Sequence, residues 1–199
     1  MRILGIGNAL VDIMTLLQGE YILREFKLPK GSMQLVDRER SEGIKAATAI
    51  FPRTWTSGGS AANTIHGLAM LGTDTGFIGS IGRDDIGDFF ENDMKKAGVN
   101  TLLIRRNSPT GTAVALITED SERTFATHLG AATELNETDL NPLLFEGYDI
   151  LYLEGYIINN PPLIETACKI AREKNMLVAI DLASYNVVEE HIDSCLLYT

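Results

Sequence analysis

The chain has 199 residues, 45% hydrophobic and 22% charged, with 17 basic against 27 acidic side chains and a formal net charge of −10. Such a balance suits a globular domain able to bury a sizeable core. A field of that sign repels a nucleic-acid backbone, and no apolar run reaches the ~20 residues needed to span a bilayer.

Two cysteines, Cys168 and Cys195, lie far apart without CxxC spacing, and three histidines, His66, His128 and His191, form no HxxxH pair. Neither a disulfide framework nor a metal site is expected, and a reduced, cytoplasmic chain is. Residues 2–7 form a short apolar run closed by glycine, the pattern of a buried strand. Residues 12–35 look irregular, with a turn at Leu28-Pro29-Lys30-Gly31. Asp37 can cap a helix running to about residue 50, and residues 53–56 are strand-like.

The helical pattern is clear over residues 60–71, where Ala61, Ile65, Leu68 and Ala69 share one face and Gly72 ends the run. A strand over 75–80 follows. Then comes a helix from Asp84 or Asp85, with Ile86, Phe89, Phe90, Met94 and Ala97 as its apolar stripe. Residues 99–106 and 112–118 are β-rich and joined by a Ser108-Pro109-Thr110-Gly111 turn, and residues 123–128 form a third such run. Alternation returns with a short helix over 138–145, a strand over 149–153, a helix over 161–174 with proline in its first turn, a strand over 177–180 and a helix from 187. Strands alternating with helices predict a parallel α/β sheet covered on both faces. Segments of about 12–57 and 99–128 break the alternation and are expected to form a small separate β-sheet, a lid at one edge. The final residues are apolar where the alternation calls for another strand, so a partial domain is expected.

Three places carry chemistry. GIGNALVD has two of the glycines of a dinucleotide turn, but Leu10 stands where the third belongs, and no GxxxxGK[ST] occurs. Asp12 just beyond the first strand can accept hydrogen bonds from two neighbouring hydroxyls, as a sugar diol offers, although by itself the position favours a solvated acid on a loop. Gly58 and Gly59 let backbone N–H groups approach a ligand where a helix begins, and Asn63 adds a donor and an acceptor. A tight turn capped by Ser60 would account for that serine, but it leaves the second glycine and the amide unexplained. Glu154 and Asp181 each end a strand, at the edge where open α/β sheets bind ligands, and a capping or turn role is equally open to a single carboxylate there.

Taken in order, Asp12, SGGSAAN, GSIGRDDIGD and TGTAVALIT resemble the N-terminal half of the PfkB, or ribokinase-like, carbohydrate and nucleoside kinases. Within that family GNALVDI, GSMQLVD and RTFATHLGAA resemble the adenosine kinase branch. The resemblance runs to about residue 190 and implies a three-layer αβα fold, one kinase domain of which residues 1–199 are the N-terminal part, with a β lid over the acceptor. It implies transfer of the γ-phosphoryl group of ATP, with Mg2+, to a primary hydroxyl of a nucleoside or sugar. Asp12, Gly58, Gly59 and Asn63 would hold the acceptor, with Arg123 in the lid and Glu154 lining the cleft. Asp181 would lie on the cofactor side. Phe125, Tyr156 and Trp55 are the aromatic candidates for a purine ring, although core packing is also open to them. The family's second signature, a DTxGAGD-like segment carrying the catalytic aspartate, does not occur here, and neither does its NxxE motif. No catalytic residue is therefore expected in this chain, which should be inactive alone. A sugar kinase, or a non-catalytic binding module that forms a homodimer through its lid, are the alternatives.

Overall fold

Arg2–Ile6 (β1) is apolar after its first residue and buried along the rest of its length, as a central strand of a parallel sheet must be. The computed structural model of the chain describes residues 1–190 and 192. After β1 come Leu10–Leu16 (β2), Tyr21–Glu25 (α1), Met33–Leu35 (β3), Arg38–Ala47 (α2) and Arg53–Gly58 (β4). Ser60–Met70 (α3), Asp74–Gly82 (β5), Asp85–Lys96 (α4) and Asn100–Arg106 (β6) follow, then Gly111–Ile117 (β7) and Arg123–His128 (β8). Ile150–Leu153 (β9), Pro161–Glu173 (α5), Leu177–Ile180 (β10) and Tyr185–Glu190 (α6) complete the described elements.

Two five-stranded sheets result. The first has the order β10-β9-β1-β5-β6 and is parallel throughout, and the second has the order β3-β8-β7-β2-β4. The parallel sheet is covered on both faces. Ile3, Phe77 and Ile81 join one core with Ile65 of α3 and with Phe90 and Met94 of α4. Leu4, Ile6, Ile78, Leu151 and Leu153 join another with Leu163, Ile164, Ala167 and Ile170 of α5. Phe77 and Phe90 are fully buried, and each contributes about 1.5–3 kcal/mol. The first core continues into the second sheet through Val11, Ile13, Val114 and Leu116. Both sheets therefore share one apolar interior.

Three sequence expectations change. Residues 10–16 are not irregular: β2 is a strand whose Val11 and Ile13 point inward while Asp12 and Met14 alternate outward. Asp12 thus stands inside a lid strand. The run at 100–106 is not lid either, because β6 pairs in parallel with β5 from Gly76↔Asn100 to Gly82↔Arg106. The SPTG segment that looked like a hairpin turn is the chain's passage from one sheet to the other. Finally, residues 138–145 form two 3-10 turns, Glu137–Asp139 and Pro142–Phe145, with Leu140 and Asn141 between them and no continuous helix. The expected further strand at the end lies outside the described residues.

Candidate acceptor site

Four strands of the parallel sheet release a polar side chain just past their C-terminal ends: Asn8 after β1, Asp84 after β5, Glu154 after β9 and Asp181 after β10. This is the edge where open α/β sheets hold ligands. Each of these groups is committed to fixing the chain nearby.

Glu154 is 1% exposed and accepts from the backbone N–H of Asn8 at 3.3 Å, from the side-chain amide of Asn8 and from the N–H of Ala61 at 3.1 Å. Burial pushes its carboxyl up to about 7, against the opposing pull of the donors from Ala61 and Asn8. Asp181 accepts from Ser60 Oγ at 2.9 Å and Tyr152 OH at 3.3 Å on one oxygen. Its other oxygen takes the N–H groups of Gly155 at 3.0 Å and Ala183 at 2.8 Å. Two carboxylates therefore meet the first turn of α3, where free N–H groups and the positive dipole end favour negative charge. Ser60 does not cap this helix, so the capped-turn alternative for this stretch does not hold. The N-cap is Gly59, and the Ser60 hydroxyl reaches across to Asp181 instead.

Asp84 behaves as the capping residue that GRDDIGD suggests. Its carboxylate accepts from Gly87 N–H at 2.8 Å and from both the N–H and the hydroxyl of Thr110, at 2.8 and 2.6 Å. Burial opposes its ionisation, but the Thr110 and Gly87 donors prevail and hold its carboxyl below the usual value. Asn8, Thr110 and Tyr152 were missed in the sequence. Only Asn8, a lone amide directly after the first strand, carried a signal that could have found it.

Above this floor the site residues assemble around the double glycine. Asp12 pairs with Thr56 and Ala113 in the lid sheet, and its carboxylate lies over Gly58, where an added Cβ would overlap both oxygens. Gly59 has φ 104°, and a Cβ there would run into the carbonyl oxygen of Asn8. The two glycines thus have different causes: one clears a side chain, the other permits a left-handed turn against a neighbouring backbone. Asn63 is exposed on the first turn of α3, its N–H bonded to Gly59 O at 2.8 Å. Asp12 accepts no hydrogen bond from any described residue, and burial raises its carboxyl to about 6. A half-buried carboxylate without partners costs free energy until something donates to it.

The lid face that carries Asp12 is largely apolar, with Thr56 and Thr127 among its members. Strand alternation and register put Met14, Ala113, Ala115, Ile117, Phe125 and Met33 on that side. Phe125 is accordingly placed to meet a flat ring. Trp55 is not: it faces α4 and packs edge-on against Phe89, ring centroids 5.6 Å apart. Tyr156 is 39% exposed on the 3-10 turn Gly155–Asn159. Arg123 does not join the group. It pairs with Ile117 while Asp12 pairs with Ala113, which puts it about 13 Å farther along the sheet, exposed at the distal end.

Two hollows open beside the site. One of about 470 Å³ lies at the lid's base between Leu35, Thr127, His128 and Pro109, and one of about 460 Å³ between Ser60, Thr64, Tyr152, Asp181 and Val188. The described residues build no dedicated metal site. Among the described residues no three His, Cys, Asp or Glu groups converge, and Asp181 already has four protein donors. No described helix is long and apolar enough to cross a membrane.

The family model for pfkB family carbohydrate kinases matches residues 39–196. Aminoimidazole riboside kinase of Salmonella typhimurium is 34% identical over 119 residues, 58% of this chain and 37% of that protein. Adenosine kinase of Saccharomyces cerevisiae is 31% identical over 169 residues, 79% of this chain and 48% of that protein. Among solved structures, a probable sugar kinase from Rhizobium etli superposes with a TM-score of 0.85 at 30% identity, covering 98% of this chain and 59% of that one. The chain spans about half or less of the length of these two curated relatives.

Proposed function

This chain belongs to the pfkB family of carbohydrate kinases, and from that premise we propose that its cleft binds the acceptor of an ATP-dependent phosphoryl transfer, a nucleoside of the adenosine type. The observation that carries the reading is Asp12. It is a desolvated carboxylate without a partner among the described residues, lying over Gly58 at the cleft end of a largely apolar lid face. A vicinal diol supplies two donors to such a group. A flat base laid against Met14, Ala113, Ala115 and Phe125 buries apolar surface that a free sugar lacks. Asn63 offers an amide from the first turn of α3, whose positive dipole end favours the polar oxygens of a ligand.

In this reading MgATP supplies the transferred phosphoryl group, and the protein's contribution is position and electrostatics. The residues of this chain hold and orient the acceptor. The aspartate of the family's second signature is not among them, so the chain alone is expected to bind acceptor without turning it over. The test is calorimetric titration of adenosine, ribose and fructose into the chain and into Asp12→Asn, with ADP release measured in parallel. Adenosine binding that Asp12→Asn abolishes, without ADP release, is the expected result. Binding of a simple sugar in place of adenosine would turn the reading to a sugar kinase. Adenosine-dependent ADP release would show that this chain carries its own base.

A further inference from the structure

The polypeptide passes between the parallel sheet and the lid sheet four times: at 7–9 into β2, at Gly59 out of β4, at 107–110 into β7 and at 129–130 out of β8. The last two passages are bonded to each other and to the core, through Ala131 N–H to Pro109 O at 2.8 Å and through Thr110 to Asp84. The first two meet at one side chain. Glu154 receives both the backbone and the side-chain amide of Asn8 from the first passage, and the N–H of Ala61 just beyond the second. The Asn8 carbonyl in turn lies against the Cα of Gly59, and a Cβ on Gly7 would overlap the Glu154 carboxylate. Nothing larger than glycine fits between these groups.

We infer that Glu154 is a positioning residue for the acceptor site: from beneath, it locks the two passages to each other and so fixes Asp12 on β2 against Gly58, Gly59 and Asn63. The inference rests on the acceptor reading of this cleft. A carboxylate suits the task because three donors converge on it and it carries none of its own when ionised. Glutamine of the same shape would turn an NH2 toward at least one of those donors. The titratable groups that face Glu154 are Asp181 beyond β10 and Tyr152 on β9, while β1 and α3 present the amides of Asn8 and Ala61. Its raised carboxyl places the loss of the lock near neutral pH.

The test compares the whole chain with Glu154→Gln in two measurements, amide exchange by NMR and adenosine titration between pH 5.5 and 8.5. For the variant at pH 8, exchange of the Asn8 and Ala61 amides should accelerate at least fivefold, with Val11, Ile13, Val114 and Leu116 still protected, and adenosine should bind at least tenfold more weakly. The wild-type affinity should fall in two steps on acidification, near pH 7 and pH 6, and the variant should keep only the lower step, which belongs to Asp12. Protection factors of wild-type Asn8 and Ala61 should drop at least fivefold from pH 8 to 6, a result that needs no variant to fold. Unchanged exchange in the variant, or loosening spread evenly through both sheets, overturns the inference, as does equal adenosine affinity with an unchanged pH profile. Loosening confined to the two passages, with no adenosine bound by either protein, supports the lock and refutes the acceptor reading.

Discussion

The carboxylate of Asp12 occupies the volume that a side chain at position 58 would fill: both of its oxygens lie within overlap distance of a Cβ built on Gly58. The acid and the glycine are therefore one feature written at two places in the chain. Gly58→Ala should displace the short Asp12 side chain more than it unfolds the protein. Adenosine affinity in Gly58→Ala and Asp12→Ala should fall by similar factors, tenfold or more. The double variant should be no weaker than the worse single one, the signature of coupled neighbours. Independent, additive losses in a calorimetric double-mutant cycle would contradict this coupling.

Gly59 and Gly67 should respond in opposite directions. Gly59 sits at φ 104° against the Asn8 carbonyl, so Gly59→Ala strains the backbone whatever the neighbours do, at a cost of about 1–3 kcal/mol. Gly67 lies in the interior of α3 with open space around its Cα. Gly67→Ala should stabilise by about 0.5–1 kcal/mol through helix propensity and a less free unfolded chain. Chemical denaturation of both variants checks the pair, and a loss of stability in Gly67→Ala would show that the helix is packed there.

Thr110 serves two partners with one hydroxyl: it accepts from Gly82 N–H at 2.8 Å and donates to Asp84 at 2.6 Å. Thr110→Val keeps the shape, orphans a buried N–H and removes a donor from an ionised carboxylate. The expected loss is about 1–3 kcal/mol, and for a domain of this size the melting temperature should fall by several degrees. A change below one degree would mean that water replaces the hydroxyl.

The pH dependence of stability follows from carboxyls moved in both directions. Glu154 is raised from 4.5 to about 7 and Asp12 from 3.8 to about 6, so over those windows the folded chain holds protons that the unfolded chain releases. Stability should therefore rise as pH falls from 8 to about 5.5. Glu154 accounts for about 2 kcal/mol of the rise over that window. Asp84 and Glu91 are lowered, and their contribution, present above the unfolded carboxyl values, is lost as pH falls below about 4. Thermal melts should peak near pH 5, and Asp12→Asn should flatten the limb between pH 5 and 7 while raising stability at pH 8. A monotonic fall from pH 8 to 4 would contradict the burial of these two acids.

β10 presents Leu177 and Val178 at 70% and 43% exposed on the outer edge of the parallel sheet. Unpaired strand edges with apolar side chains associate. Sedimentation of this chain should show concentration-dependent self-association that Val178→Lys reduces. If Leu35→Lys on the open lid face suppresses it instead, the contact runs through the lid.

Much of this architecture was legible in the residues. α3 and α4 announced themselves by an apolar stripe and a closing glycine, because helix packing imposes its period on the sequence. Asp84 was readable as a cap for the same local reason. What failed was pairing. Residues 100–106 and 111–117 both look like strands, and the SPTG between them has hairpin chemistry, yet turn residues do not encode which edge a strand will find. The capture of Thr110 by Asp84, 26 residues earlier in the chain, decides that. β2 was overlooked because Asp12 interrupts an apolar run, and that interruption is the site itself. Glu154 was legible as a strand-end carboxylate, but its bond to Asn8, 146 residues away, was not.

The order of strands in the lid also has a temporal side. β7 and β8 slot between β3 and β2, so the sheet interleaves a segment ending at residue 58 with one that starts at residue 111. During synthesis at roughly 5–20 residues per second, β2 and β3 emerge several seconds before the strands that join them exist. The nascent chain must carry an incomplete sheet through that interval. For the same reason the lid cannot be lifted out of this protein as a cassette and grafted onto another: its two segments hold only the β2–β4 and β7–β8 pairs, and β3 has no partner, until the core has brought them together.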